Sequence, residues 1–210
     1  MGSTRARWLV PVLLAGAVVV GGCTDRGDGA VVVQPGAPGE PGRIIEDGVP
    51  RSREQPHTAA DVRFMRGMIA HHAQALRMAG LVPARTQRDD IATLARRIEI
   101  SQEAEIALME GWLERRGEAT SGDHDHGSGL MPGMLTEEQF TRLEGTTGTD
   151  FDRMFLELMI FHHEGAVIMV EELRFSGDGQ EPEISRLLNH IDLDQRIEID
   201  RMRDLLAGLQ

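Results

Sequence analysis

The sequence predicts an all-α protein, an antiparallel four-helix bundle built from a duplicated helix pair with a short extra helix in its central connection. Three observations predict it. Apolar residues recur at helical spacing, and no segment sustains the period-two alternation of a half-buried strand. Cap residues and Gly/Pro stops bracket four long helical stretches. A Met-x-x-His-His element stands at residues 68–72 and again at 159–163.

The first 22 residues read as a leader to be removed. Arg5 and Arg7 form a positive start, Trp8 to Val20 form an apolar run of 13 residues, and Val20-Gly21-Gly22-Cys23 is a small-residue lipobox. A run that short does not span a bilayer as a helix, so it is a signal peptide rather than an anchor. Lipidation of Cys23, the single cysteine, places the mature chain on a membrane and leaves no thiol for a disulfide, a redox pair or a thiolate metal site. Residues 23–56 are then the lipidated Cys and a flexible Gly/Pro-rich tether, and residues 57–208 the bundle.

Within the bundle, Thr58-x-x-Asp61 caps a first helix that Gly80 and Pro83 stop. Thr86 precedes a second, ending near Arg116 and Gly117. Residues 118–135 form a polar, Gly-rich loop with His124-Asp125-His126 and Met131-Pro132-Gly133-Met134. Thr136-Glu137-Glu138-Gln139 is a capping box for a short helix to Glu144. Thr149-x-x-Asp152 opens a third long helix to about Phe175, and Pro182 suits the first turn of a last one to about Ala207.

A shift of 91 residues superposes Thr58–Met78 on Thr149–Met169, matching Asp61/Asp152, Phe64/Phe155, Met68/Met159, His71/His162, His72/His163 and Met78/Met169 among others. A shift of 93 matches Ile98/Ile191, Gln102/Gln195, Glu105/Glu198, Ile106/Ile199 and Met109/Met202. At about 100° per residue the shared positions form one stripe on each helix. Each stripe mixes apolar side chains with His, Gln or Glu, so polar groups enter the interior and need partners there.

Charge and composition narrow what such an interior can serve. The net charge of −12 becomes −14 once Arg5 and Arg7 leave with the leader, since no acidic residue leaves with them. Phosphate backbones would be repelled, which argues against a nucleic-acid partner. The chain has no Tyr and few other aromatics, so a base-stacking platform is not expected. Gly-rich phosphate loops, a nucleophile elbow and a Cys/His dyad are absent from the sequence.

The inward candidates for holding a metal are Met68, His71, His72, Met78, Glu105 and Met109, with their counterparts Met159, His162, His163, Met169, Glu198 and Met202. Bundles build metal centres from Glu and His on facing helices, and a di-iron centre needs Glu three residues before His. That place holds Met68 and Met159. Thioether and imidazole suit copper, Cu(I) especially, over iron or manganese. Methionine at helical spacing is equally ordinary core filler, and Met65 and Met154 read as that. His124, His126, Met131 and Met134 are a second, loop-borne candidate. His57 and His190 lack repeat counterparts and read as surface or helix-end residues.

Phe64-x3-Met68-x2-His71-His72, Gln102-x2-Glu105-x3-Met109-x2-Trp112, Met131-Pro132-Gly133-Met134 and Phe151-Asp152-x2-Phe155-x3-Met159-x2-His162-His163 together resemble the bacterial domain-of-unknown-function family 305, over residues 57 to 207. The resemblance implies a ferritin-like four-helix bundle in an exported protein, some relatives being periplasmic copper binders of metal resistance. It carries metal handling to Met68, His71, His72, Met159, His162 and His163. Leu205 departs from it, standing where the first repeat has Trp112. The expected function is a lipid-anchored, extracytoplasmic copper binder, not an enzyme, whose partners are a metal ion and the membrane; no protein partner is identified. Two rivals stay open. One is a ferritin-like oxidase whose Glu105, Glu198 and His pairs hold a redox metal. The other is an envelope interaction module with a purely structural His/Glu network.

Overall fold

A computed structural model describes residues 56–120 and 130–209, together with the backbone of 32–34 and 43–45. The leader, Cys23 and the His124-x-His126 element lie outside the described residues. The chain divides into two units, residues 1–51 and 52–210. In the first, β1 (Val32–Gln34) pairs antiparallel with β2 (Arg43–Ile45) in the register Val32↔Ile45. This ribbon falls inside the stretch read as a tether. Strands of three residues are too short to show an alternation.

The second unit is all-helical: α1 (Ala59–Ala79), α2 (Asp89–Arg115), α3 (Glu137–Glu144), α4 (Gly148–Phe175) and α5 (Pro182–Ala207). The capping boxes at Thr58/Asp61 and Thr136/Gln139 form as the sequence predicts. Pro182 occupies the first turn of α5, with the Glu181 side chain accepting from Ile184 N–H. Two helix starts differ from expectation. A 3-10 turn at Val82–Ala84 and the Thr86 hydroxyl, which accepts from Arg88 N–H, hold off α2 until Asp89. Helix α4 begins at Gly148, whose N–H donates to the Arg85 carbonyl at 2.7 Å, so Thr149 lies inside the helix instead of capping it.

Side-chain pairings set the helix directions. Arg66 and His72 of α1 meet Glu118, just past α2, and Glu105 respectively. Glu164, Glu171 and Arg174 of α4 meet Arg203, Arg196 and Asn189 of α5. His71 meets His162, and Asp61 accepts from Gly179 N–H just beyond α4. Ser101 and Arg115 of α2 meet Glu198 and Glu183 of α5. Each long helix is therefore antiparallel to both of its neighbours, in the ring order α1-α2-α5-α4. That order leaves α2 and α4 parallel on a diagonal, so the chain between them returns the length of the bundle in one long crossover. It runs beside α1: Arg66 donates to Ala119 O, Gln74 exchanges two bonds with Leu135, and Arg85 reaches Glu144 O.

The interior divides into two apolar clusters. Phe64, Met65, Met68, Met109, Trp112 and Met169 fill one; Met78, Phe140, Phe151, Phe155, Met159 and Met202 fill the other. Buried polar residues number Asp61, His71, His72, Gln102, Glu105, Asp152, His162, His163 and Gln195 among their members.

Candidate metal centre

Four histidines converge where α1 crosses α4. Each pair puts both rings inside, because α1 and α4 have two covered flanks apiece. His71 turns toward α4 and lies against His162, ring centroids 3.8 Å apart and planes tilted by 37°. His72 turns toward α2, its Nε2 2.6 Å from Glu105 Oε2. The second half matches: His163 Nε2 is 2.7 Å from Glu198 Oε2 on α5. All four rings are buried, as is Glu105, while Glu198 is partly covered.

The first halves of these contacts fix the rings. A carbonyl only accepts, so His71 Nε2 carries its proton and donates to Pro132 O at 3.0 Å. That carbonyl belongs to the crossover, which lies directly on α4. A Cβ added to Gly165 would stand 2.3 Å from Pro132 O, and one added to Gly133 would stand 2.6 Å from His162 O. Gly133 also has φ of 75°, in the left-handed region that glycine tolerates. Two glycines thus let a backbone carbonyl reach His71. The Met-Pro-Gly-Met run was legible as a motif, but its role was not, since a main-chain acceptor has no residue identity.

Buried atoms without a hydrogen-bond partner gather in this layer. They are Nδ1 of all four histidines, Nε2 of His162, both amide atoms of Gln102 and of Gln195, and Oε1 of Glu105; among the described residues only Asp152 Oδ1 lies elsewhere. Folded proteins leave few such atoms, and each calls for a water, an ion or a functional reason. Burial holds the rings of His71, His72 and His162 neutral. His71 is pushed down to about 3, by desolvation first and by neighbouring His72 second. Desolvation, then His71, lowers His162 well below the usual range. His72 is lowered by desolvation and by His163, while Glu105 is raised to about 7 by desolvation. Neutral imidazole is the form that ligates metal.

The residue types fit a metal ion. Ligating histidines ordinarily give their other ring nitrogen to a carboxylate or carbonyl. Here Pro132 O, Glu105 and Glu198 hold three Nε2 atoms and leave three Nδ1 atoms facing the interior without partners. The methionines fall into two apolar clusters. Met68, Met109 and Met169 sit in one apolar cluster, and Met78, Met159 and Met202 in the other. Thioethers therefore flank the histidine layer in two groups of three, each packed among apolar side chains. Of the loop candidates, Met131 is half-buried, placing its sulfur 3.2 Å from the point a Cβ on Gly67 would occupy. His57 stacks edge-on against Trp112 at 5.4 Å. His190, read as a surface residue, stands beside Glu105 with Asp194.

The fold and this layer define an all-helical bundle with a buried His/Glu centre. The chain belongs to the DUF305 family, a domain of unknown function whose model matches residues 61–206. A DUF305 protein of Streptomyces coelicolor, described as secreted, is 31% identical over 71% of this chain and 93% of its own, with a TM-score of 0.66. A DUF305 fragment from Deinococcus radiodurans is 35% identical over 73% of this chain and 99% of its own, again at 0.66. CopM in its Cu(I)-bound form is 26% identical over 70% and 96%, at 0.59, and is also known in Cu(II)- and Ag-bound forms. No curated protein matches the chain.

Proposed function

We propose that this protein is an extracytoplasmic, lipid-anchored copper binder that buffers the ion or passes it on. The observation that carries the reading is the layer of four buried imidazoles whose Nδ1 atoms have no partner, three of them with Nε2 already held. His71, His72, His162 and His163 are the ligating core, and Glu105 and Glu198 orient them. Met68, Met78, Met109, Met159, Met169 and Met202 supply the soft sulfurs around them, which favour Cu(I). Copper- and silver-bound CopM at 26–28% identity supports the same ion class. The leader and the secreted relative support export, and Cys23 in its small-residue setting supports anchoring. No helix among the described residues is long and apolar enough to cross a membrane.

The test is a titration of the full chain carrying Cys23→Ser with Cu(I) against a competing chelator. Replacing His71, His72, His162 and His163 by Ala is expected to abolish competitive binding. Unchanged affinity in that variant would sink the proposal.

A further inference from the structure

Glu105 faces two ways. Its Oε2 holds His72 in the interior, whereas Oε1 points outward into the seam between α2 and α5. There it lies 3.6 Å from His190 Nε2, which is 3.5 Å from Asp194 Oδ2. His190 and Asp194 are one turn apart on α5, at i and i+4, so both project to the same side. The three ligand atoms all lie within 4.8 Å of one another.

We infer that Glu105, His190 and Asp194 form a second metal site, one for a divalent ion of borderline hardness such as Zn2+. The carboxylate of Glu105 is 1% exposed, yet Oε1 has no hydrogen-bond partner. A buried carboxylate oxygen aimed at two further ligand atoms is a feature an ion satisfies. The spacings agree. Atoms bound tetrahedrally at about 2.0–2.1 Å from a metal stand roughly 3.3–3.4 Å apart. The two separations from His190 Nε2, 3.6 and 3.5 Å, sit near that edge length and are long for hydrogen bonds.

The ligand chemistry separates this site from the copper reading, on which it does not rest. One imidazole and two carboxylates contain no soft sulfur, so they select Zn2+-like ions over Cu(I). His190 is 53% exposed and Asp194 30%, which leaves a way in from solvent and room for water in a fourth position. The duplicated half lacks the site. Its counterparts of His190 and Asp194, under the shift of 93, are Arg97 and Ser101, and Ser101 donates to Glu198 at 3.4 Å. A guanidinium and a hydroxyl do not replace those ligands, so the site exists on one face only.

Calorimetric titration of the metal-free full chain with Zn2+ tests the inference. Wild type is expected to bind one tight equivalent. His190→Ala/Asp194→Ala, two changes at partly exposed positions, is expected to weaken that equivalent by about 10-fold or more. His71→Ala leaves the three ligands in place and is expected to retain it. The inference is overturned if wild type takes up no Zn2+, if the double variant binds as wild type does, or if His71→Ala weakens binding as much as the double variant. Failure here leaves the Cu(I) titration untouched, because that experiment reads the histidine layer.

Discussion

Gly165 joins the crossover to the histidine layer, and a single methyl group tests how tightly. A Cβ there would stand 2.3 Å from Pro132 O and 2.4 Å from Gly133 Cα, both backbone atoms with little freedom to move. Overpacking of that kind typically costs about 1–3 kcal/mol, more than the roughly 1 kcal/mol that Ala gains over Gly in a helix. Gly67 is the control. Its nearest neighbours would be Met131 Sδ at 3.2 Å and Met169 Cε at 3.5 Å, the ends of flexible side chains. Gly165→Ala is therefore expected to lower the urea midpoint, and Gly67→Ala to leave it unchanged or raise it. Equal midpoints for the two variants would mean the crossover yields without loss. The sequence marked the paired histidines by their repetition, but it did not show how two adjacent rings could both be buried. Both are, because each ring has its own neighbouring helix: His71 has α4 and His72 has α2.

At the level of helices, duplicated residues do not keep duplicated jobs. Thr58 accepts from Asp61 N–H at 3.1 Å, and Asp61 accepts from Thr58 N–H at 2.7 Å, completing a capping box. Its sequence counterpart Thr149 is an exposed residue in the first turn of α4 and caps nothing. Thr58→Ala should thus cost about 0.5–2 kcal/mol, whereas Thr149→Ala should be close to neutral. Chemical denaturation of the two single variants distinguishes them, and equal losses would contradict the difference in caps. The contrast also shows why helix starts were unevenly legible. Caps at Thr58, Thr136 and Pro182 are local and can be read from neighbouring residues. Gly148 is fixed by a carbonyl 63 residues earlier in the chain, at Arg85, which no local pattern records. Much the same holds for Gln74, whose amide clamps Leu135 of the crossover by two bonds. The helix count, their order and the polar stripes were all readable, since periodicity and repetition are properties of the chain itself. The separation of the methionines into two clusters was not, because side-chain direction along a stripe depends on how the helices cross. His190 was missed for a related reason: only the approach of α5 to α2 gives it a partner.

Over the whole molecule, the buried histidines make stability of the metal-free protein depend on pH in a direction that can be worked out. His71 is held down to about 3 in the folded state, against an ordinary 6.5. Below about pH 6.5 the unfolded chain takes up a proton that the native ring refuses, so the native state loses stability as pH falls from there toward 3. One such ring contributes a slope of about 1.4 kcal/mol per pH unit within that window. His162 and His72 are shifted the same way and steepen the decline. Glu105 acts oppositely. Raised from 4.5 to about 7, it keeps a proton that the unfolded chain gives up, so its contribution is full below pH 4.5 and fades as pH rises toward 7. Acidification from pH 7 to 4.5 therefore sets Glu105 against the rings, and below pH 4.5 only the rings continue to act. The decline should steepen there. Denaturant midpoints of the metal-free chain across pH 4–7, measured beside His71→Leu/His162→Leu, isolate the contribution of the two stacked rings. The gap between the curves is expected to shift in favour of the Leu variant as pH falls, since leucine has no proton to refuse. A gap that stays constant over the whole range would mean that these imidazoles protonate in the folded protein much as they do in the unfolded chain, and that the layer between α1 and α4 admits charge.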